Sequence, residues 1–356
     1  KEGAMFKIIK VNMSDLSVKS EDVPEAHEGL GGRGLTSAIV SKEVEPTCSP
    51  IGPNNKLVFA PGLLGGTNCA NSGRISVGAK SPLTGTIKES NAGGTVAAAL
   101  GRLGISAIIV EGQGSEGDLS ILRIDENGMA SFDTALAYKG MRTYGLVEKL
   151  LATYGEKNAV LCIGPAGEQK LTAASIQTSD IDGRPCRAAG RGGLGAVMGA
   201  KGLKAIVVDQ RGKSTDAIAD PEAFKAAAKA YAKAVKEHPF SGQMMPALGT
   251  AGLVAPINSM GAFPSYNATK GVLDGWEKVS GETMAQIIQE RGGKTTHIGC
   301  AQCIVHCSNE FVDKEGQYVT SSLEYETIWS MGGMTGINDL DTIARLDNRC
   351  DDIGLD

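Results

Sequence analysis

Several signals are missing from this chain, and each absence removes a class of function. No apolar run approaches the roughly 20 residues needed to cross a bilayer, which argues against a membrane span. Lys and Arg total 35 against 40 Asp and Glu, a net charge of −5, and they are scattered. The basic stripe of a nucleic-acid binder is therefore absent. The opening Lys1-Glu2-Gly3-Ala4-Met5 has no apolar signal core, so the expected location is the cytoplasm, and the residues before Met5 read as a cloning remnant. No Walker-type G-x-x-x-x-G-K-S/T pattern occurs, which excludes a P-loop NTPase. Aromatic residues are scarce, at 4%.

What is abundant is glycine, 48 residues in 356, roughly twice ordinary usage. No Gly-X-Y period appears, which excludes collagen, and the glycines cluster, seven of them between positions 183 and 202. Clustered glycine means that the backbone turns sharply or comes close to something. Eight cysteines in a chain of this size do not make a disulfide scaffold. Three of them fall within eight residues, which favours metal ligation.

At roughly 150 residues per domain the length implies two or three domains. Residues 1–211 read as an α+β domain of two β-sheet layers with short helices. Its candidate strands are Phe6–Val11, Lys56–Ala60, Ile75–Gly78, Ala107–Glu111, Leu119–Ile124, Ala159–Ile163 and Lys204–Val208, and its helices are Thr95–Leu103, Leu146–Tyr154 and Leu35–Ser41. The segments 106–111 (SAIIVE) and 204–209 (KAIVVD) echo each other, either because two half-sheets are related or because buried strands share a composition. Residues 212–356 read as a mainly α-helical domain, opening on an amphipathic helix at 221–237 led by Pro221. The last helix starts at Asn338 or Asp339, presents Leu340, Ile343, Leu346 and Cys350 on one stripe, and stops at Gly354. An ending at the exit of a helix leads to the expectation of a truncation or a missing partner chain.

The strongest motif is Cys300-Ala301-Gln302-Cys303-Ile304-Val305-His306-Cys307. Three thiolates on one tight loop reach three corners of an iron–sulfur cube, which normally takes a fourth Cys. Structural zinc is the alternative, but it usually shows two C-x2-C pairs or added His ligands, and one pair is present. Radical SAM enzymes space their three cysteines in the opposite order. Cys350 offers a fourth thiol, although its place on an apolar stripe also fits a core thiol. The second motif, Arg187-Ala188-Ala189-Gly190-Arg191-Gly192-Gly193-Leu194-Gly195, lets backbone N–H groups and guanidinium forks converge on an anion such as phosphate. A tight structural turn is the alternative. Arg74, beside Gly73, and the turn Asn91-Ala92-Gly93-Gly94 make a third stretch, and Leu323-Glu324-Tyr325-Glu326, two acids beside apolar residues, a fourth.

Together these motifs resemble the aldehyde:ferredoxin oxidoreductase family of tungsten-pterin enzymes, from about Phe6 to Asp356. The resemblance also rests on Leu30-Gly31-Gly32-Arg33-Gly34-Leu35, Asn55-Lys56-Leu57-Val58, Ala79-Lys80-Ser81-Pro82-Leu83-Thr84-Gly85, Ile163-Gly164-Pro165-Ala166-Gly167-Glu168, Met198-Gly199 with Lys204-Ala205-Ile206, and Asp351-Asp352-Ile353-Gly354-Leu355-Asp356. It implies two pterins chelating one tungsten on the N-terminal domain, a [4Fe–4S] cluster and a magnesium ion bridging the pterin phosphates. By motif match, Cys300, Cys303 and Cys307 would ligate the cluster, and Arg74 would lie between it and a pterin. Asn91 and Ala188 would offer oxygens to Mg2+. Arg187, Gly190, Arg191 and Gly93 would hold the phosphates. Asp351, Leu355 and Asp356 would belong to a D-x-x-G-L-D loop holding one pterin ring. Glu326 matches the active-site carboxylate, and an apolar pocket would raise its pKa and make it a better base.

The implied activity is oxidation of a small aldehyde to a carboxylic acid, with electrons passing to ferredoxin or another electron-transfer protein. A reductase of aromatic acyl thioesters with the same cofactor, and a non-catalytic fragment or half of a split enzyme, are the alternatives. Tungsten and molybdenum are not separated, because the pterin dithiolenes hold the metal. The family's fourth cluster cysteine, second pterin loop and active-site His lie in a third domain, which a missing segment or separate chain would supply. His27, His238, His297 and His306 match no family position. The E-x-x-H places of a dimer metal hold Arg345 and Asn348, so that metal is not expected.

Overall fold

The computed structural model describes residues 6–213 and 218–355. They fall into two compact units. The first holds the described residues up to Lys225 together with Cys300–Gln302 and Asp351–Leu355, and the second holds 226–299 and 303–350. Part of the cluster loop and the described part of the D-x-x-G-L-D loop therefore belong with the first unit, although both lie in the stretch read from sequence as the second domain.

Six strands of the first unit, β1 (Lys7–Asn12), β2 (Ser17–Asp22), β3 (Leu57–Pro61), β4 (Ile75–Lys80), β5 (Ile87–Ala92) and β6 (Ile105–Glu111), form one sheet in the order β2-β1-β6-β3-β4-β5. The next six, β7 (Ser120–Ile124), β8 (Ala130–Thr134), β9 (Asn158–Cys162), β10 (Ile176–Thr178), β11 (Arg187–Ala189) and β12 (Leu203–Asp209), form a second sheet, β8-β7-β12-β9-β10-β11. The two orders correspond strand for strand. The pairing directions agree as well, with β1 parallel to β6 and β7 parallel to β12 and every other neighbour antiparallel. Even the irregularity repeats. One extra residue, Ser106 in β6 and Lys204 in β12, bulges from the central strand at the same register position. The echo between 106–111 and 204–209 thus reflects two related half-sheets.

The helices follow the same repeat. Helix α1 (Gly32–Glu43) follows the first hairpin as α3 (Thr143–Tyr154) follows β7 and β8. Helix α2 (Val96–Arg102) leads into β6 as α5 (Leu194–Ala200) leads into β12, and the short α4 (Pro165–Glu168) follows β9. Buried Leu35 and Ile39 on α1 correspond to Leu146 and Leu150 on α3, each set capping the outer face of its own sheet. Between the sheets lies one continuous core of Ile9, Phe59, Ile108, Leu161, Ile206 and the inner faces of α2 and α5.

A glycine pair fixes the depth at which each inner helix sits. A Cβ on Gly101 of α2 would lie 2.0 Å from the carbonyl oxygen of Gly65, and one on Gly199 of α5 would lie 1.9 Å from that of Gly167. Gly65 and Gly167 occupy the same place, six residues past the equivalent residues Phe59 and Leu161, which face Ile108 and Ile206 on the central strands. Only glycine permits this backbone-to-backbone approach.

The second unit is not simply helical. Helices 245–248, 254–259, 281–290 and 340–353 surround an antiparallel sheet of β13 (Lys294–His297), β14 (Ser308–Val312) and β15 (Tyr318–Ser321). The hairpin joining β14 and β15 turns at Asp313-Lys314-Glu315-Gly316, with the Asp313 carboxylate accepting from the N–H groups of Glu315 and Gln317. Helical segments still make up most of the regular structure among the described residues of this unit, and the three-stranded sheet is an addition that the sequence reading did not foresee. Helix Pro221–Glu237 forms where Pro221 placed it. Asp339 caps the last helix by accepting from the N–H of Thr342 at 2.9 Å. Its inner stripe is Leu340, Ile343 and Ala344, while Leu346 is exposed and Cys350 half-buried.

Gly101→Ala and Gly199→Ala are each expected to cost about 3 kcal/mol by overpacking, read from urea unfolding midpoints. A second expectation concerns Lys201, whose repeat counterpart is Leu103. Its buried ammonium donates to the carbonyls of Asn55 at 2.5 Å and Gly112 at 3.0 Å. Burial pulls its pKa down from 10.5 to about 8, against an upward pull from Glu111. The folded state thus gives up this proton more readily than the unfolded chain, so Lys201 makes stability rise as pH climbs from about 8 toward 10.5. Lys201→Met should flatten that rise by up to about 3 kcal/mol, measured as Tm against pH.

Candidate functional site

The Gly-rich turns that leave β5 and β11 occupy equivalent positions. Ile75 pairs with Ala92 and Ser76 with Asn91, while Ile176 pairs with Ala189 and Gln177 with Ala188. Asn91 and Ala188 are therefore counterparts, as are Gly93 and Gly190, and β5 and β11 pack against each other. Gly94 and Thr95 continue this seam: the N–H of Thr95 donates to the Ser179 carbonyl at 3.0 Å. At the far end of β5, the hydroxyl of Ser81 donates to Gly192 of the second Gly-rich turn at 2.6 Å.

On the first turn the structure brings four of the sequence candidates together. The Arg74 guanidinium donates to the Asn91 carbonyl oxygen at 3.1 Å and to its side-chain oxygen, and the Asn91 amide donates to the Ser76 hydroxyl at 3.1 Å. Gly93 faces both Arg74 and Cys300. A Cβ there would lie 2.2 Å from Cys300 Sγ and 3.7 Å from Arg74 Nη1. The loop is held by its backbone: Ala301 N–H donates to the Gly94 carbonyl and Asn71 N–H to the Gln302 carbonyl, both at 2.9 Å. The Gln302 side chain adds contacts to Ser72 and to the Thr67 carbonyl. None of the eight cysteines is in a disulfide.

On the second half a different segment docks. The Asp351 carbonyl accepts from the Thr143 hydroxyl at 2.9 Å. The Asp352 carboxylate accepts from the N–H of Tyr144 at 3.3 Å and lies 3.5 Å from the Arg142 guanidinium. Ser175 N–H donates to the Gly354 carbonyl at 2.9 Å, and Leu355 bridges Ala174. Gly164 lets this segment in, since a Cβ there would lie 2.4 Å from the carbonyl of Ile353. Arg187 is buried and Arg191 exposed at the neighbouring turn. Burial pushes the Cys186 thiol well above its ordinary pKa, with Arg187 pulling down and Asp180 and Asp351 pushing further up, so Asp351 acts electrostatically on the Arg187 strand. Asp356 lies outside the described residues.

Glu326 lies in the second unit and is exposed rather than enclosed in an apolar pocket. It occupies the short helix Tyr325–Thr327, which runs straight into a wide helical turn, Ile328–Gly333, of the kind often found at functional sites. The turn is positioned on both sides. Tyr325 N–H donates to the Thr250 hydroxyl at 2.9 Å and its ring stands edge-on to Phe263. The Asp347 carboxylate accepts from Thr320 at 2.5 Å and Thr327 at 3.4 Å. Cys303 and Cys307 are half-buried in this unit, Cys307 bridging His297 at the edge of β13. Sequence reasoning passed over Asp347, Thr143 and Gly164 as site-building residues. The signal for Gly164 was legible in the parallel between Gly62-x-x-Gly65 and Gly164-x-x-Gly167.

The family model for the aldehyde ferredoxin oxidoreductase N-terminal domain matches residues 8–210, and that for its domains 2 and 3 matches 226–356. The tungsten-containing aldehyde ferredoxin oxidoreductases of Pyrococcus furiosus and Thermococcus kodakarensis are each 36% identical over 99% of this chain. The chain spans 56% of the length of each. A WOR-like subunit of an aliphatic sulfonate oxidoreductase from Pyrococcus furiosus is 26% identical over 98% of the chain. Among solved structures, the active-site complex of benzoyl-coenzyme A reductase with 1,5-dienoyl-CoA matches with a TM-score of 0.80 at 26% identity, covering 98% of this chain and 53% of that one. The chain belongs to the aldehyde ferredoxin oxidoreductase family.

Gly93→Ala is expected to displace the Cys300 loop from the first half. In metal-free protein the rate of Cys300 alkylation by a maleimide should rise severalfold, and an unchanged rate would mean that the close approach does not hold the loop.

Proposed function

We propose that this member of the family forms the cofactor-bearing part of an oxidoreductase that converts an aldehyde to a carboxylic acid at a tungsten–bispterin centre and passes electrons through a [4Fe–4S] cluster to ferredoxin. The observation that carries the reading is the equivalence of Asn91 and Ala188. Two pterins related like the two halves would present their phosphates to the same turn twice, and a bridging Mg2+ needs one backbone oxygen from each.

The residues present fit that group. Gly93, Gly190, Arg187 and Arg191 offer N–H donors and guanidinium forks to phosphate. The Asn91 carbonyl accepts here from the Arg74 guanidinium, which would have to release it for that oxygen to hold magnesium. Arg74, which like Cys300 faces Gly93, would then keep its positive charge on the side of the turn where that cysteine sits. Cys300, Cys303 and Cys307 would make three of the ligands that a [4Fe–4S] cluster takes. Asp351 and Leu355, with Asp356, line one pterin ring, Asp352 being occupied in anchoring their loop to Tyr144.

Bound tungsten supplies a Lewis acid and an electron sink. Glu326 Oε accepts the proton released as water adds to the aldehyde carbonyl. Its exposure in this chain leaves the drying of that carboxylate to whatever covers it in the working enzyme. The benzoyl-coenzyme A reductase likeness favours a second reading, reduction of an aromatic acyl thioester with the same cofactor residues. The higher identity to the aldehyde enzymes favours the first.

Anaerobically purified protein is expected to contain one tungsten and about four irons per chain. Glu326→Gln should abolish aldehyde-dependent reduction of a viologen dye while leaving both metals bound. Metal loss in that variant would make Glu326 structural, and turnover of an aromatic acyl thioester in place of aldehyde would select the second reading.

A further inference from the structure

The two halves differ most at the bulge residues. In the second half, Lys204 is fully buried and its ammonium donates to the carbonyls of Met141 at 3.0 Å and Ile163 at 2.8 Å and to the Glu168 carboxylate. Glu168 in turn accepts from the N–H of Gly140 at 2.8 Å. The internal ion pair thus fills the space between the central strand, the loop before α3 and the turn after β9.

In the first half this filling is missing. Ser106 stands in place of Lys204, and Gly66 follows Gly65 where Glu168 follows Gly167. Gly29 corresponds to Gly140, both with left-handed backbone, φ 72° and 74°. The carbonyls equivalent to those of Met141 and Ile163 are on Leu30 and Pro61. What remains is a cavity of about 340 Å3, whose lining includes Ser106, Phe6, Leu63, His27, Asp22 and Glu28. His27 is 6% exposed, and its Nδ1 is buried without a hydrogen-bond partner. Among the described residues the walls carry two carboxylates and neither lysine nor arginine.

We propose that this cavity is a binding site for a primary alkylammonium group, which takes the place of the Lys204 side chain. Its head meets the Leu30 carbonyl and the His27 nitrogen, and its stem lies along Phe6 and Leu63. Asp22 and Glu28 supply the counter-charge that Glu168 gives in the other half. A free amine and the side chain of a lysine on another polypeptide segment carry the same chemistry.

The test is calorimetric titration of the purified protein with n-butylammonium chloride against sodium chloride at matched ionic strength. Saturable binding is expected. Ser106→Lys, which places the ammonium in cis, should weaken binding roughly tenfold or more and raise Tm. If that variant fails to fold, Glu28→Gln removes a counter-charge at an exposed position and should weaken binding severalfold. N-acetyl-lysine amide separates the sources: tighter binding than n-butylammonium points to a lysine side chain, and equal binding to a free amine, and either supports the site. Absence of saturable heat with both ligands, or binding unchanged in the folded variants, overturns the proposal.

Discussion

The contact of Gly101 on Gly65 and of Gly199 on Gly167 sets the geometry on which the first unit depends. Each glycine pair lets an inner helix press its backbone onto the turn that follows a neighbouring strand. The helix depth then fixes where the Gly-rich turn before it emerges. Because the contact is made twice, Asn91 and Ala188 come out as equivalents, and β5 and β11 meet edge against edge. A methyl group at either helix glycine would lift that helix by more than an ordinary core relaxes, because close-packed interiors have no slack of that size. The abundance of glycine and the scarcity of aromatics are two sides of this: thin layers leave little room for large rings.

Onto this near-symmetric base the chain lays two unlike segments. The half containing β4 and β5 receives Cys300–Gln302, held by the backbone of Asn71 and Gly94. The half containing β10 and β11 receives Asp351–Leu355, held by Thr143, Tyr144 and Ser175. Both attachments use backbone groups at the edges of the repeat, so they place no demand on the shared core. A symmetric scaffold can in this way present a cysteine loop on one side only.

How much of this was legible in the sequence depended on burial. The strands read correctly, such as Ile105–Glu111 and Leu203–Asp209, are interior and apolar on both faces, and their composition alone marks them. The strands passed over include all four edges, β2, β5, β8 and β11. β2 (SVKSED) and β8 (ASFDT) carry polar residues that discourage edge pairing, and this erases the alternation by which strands are recognised. β10 and β11 are three residues each, too short for any period. The repeat was visible only as an echo between the two central strands, because it is kept in backbone register more than in side chains. Of the site, the cysteine run and the arginine-glycine turn were legible because they are local. The meeting of Gly93 with Cys300, 207 positions apart in the chain, was not, since long-range approach leaves no local mark beyond the glycine itself. Nor was the exposure of Glu326, which its apolar neighbours Leu323 and Ile328, both buried, concealed.

The positions at which the halves differ follow a physical logic. Arg74 stands where the other half has Ser175, and Asn91 where it has Ala188. These two substitutions depend on each other. An arginine at this place has its guanidinium steered by the Asn91 side-chain oxygen, and alanine offers no such acceptor. The pair occurs on the half that carries Cys300 and is absent from the half that carries Asp351. The same reasoning separates Lys204 from Ser106. Burying an ammonium is tolerated only when carbonyls and a carboxylate surround it, and the second half supplies all three acceptors from its own chain. The first half keeps the carbonyls but has glycine where the carboxylate would be, so a lysine there would lack its anion and serine takes its place. A repeat whose core is held fixed by backbone contacts is free to specialise at its bulges and turns.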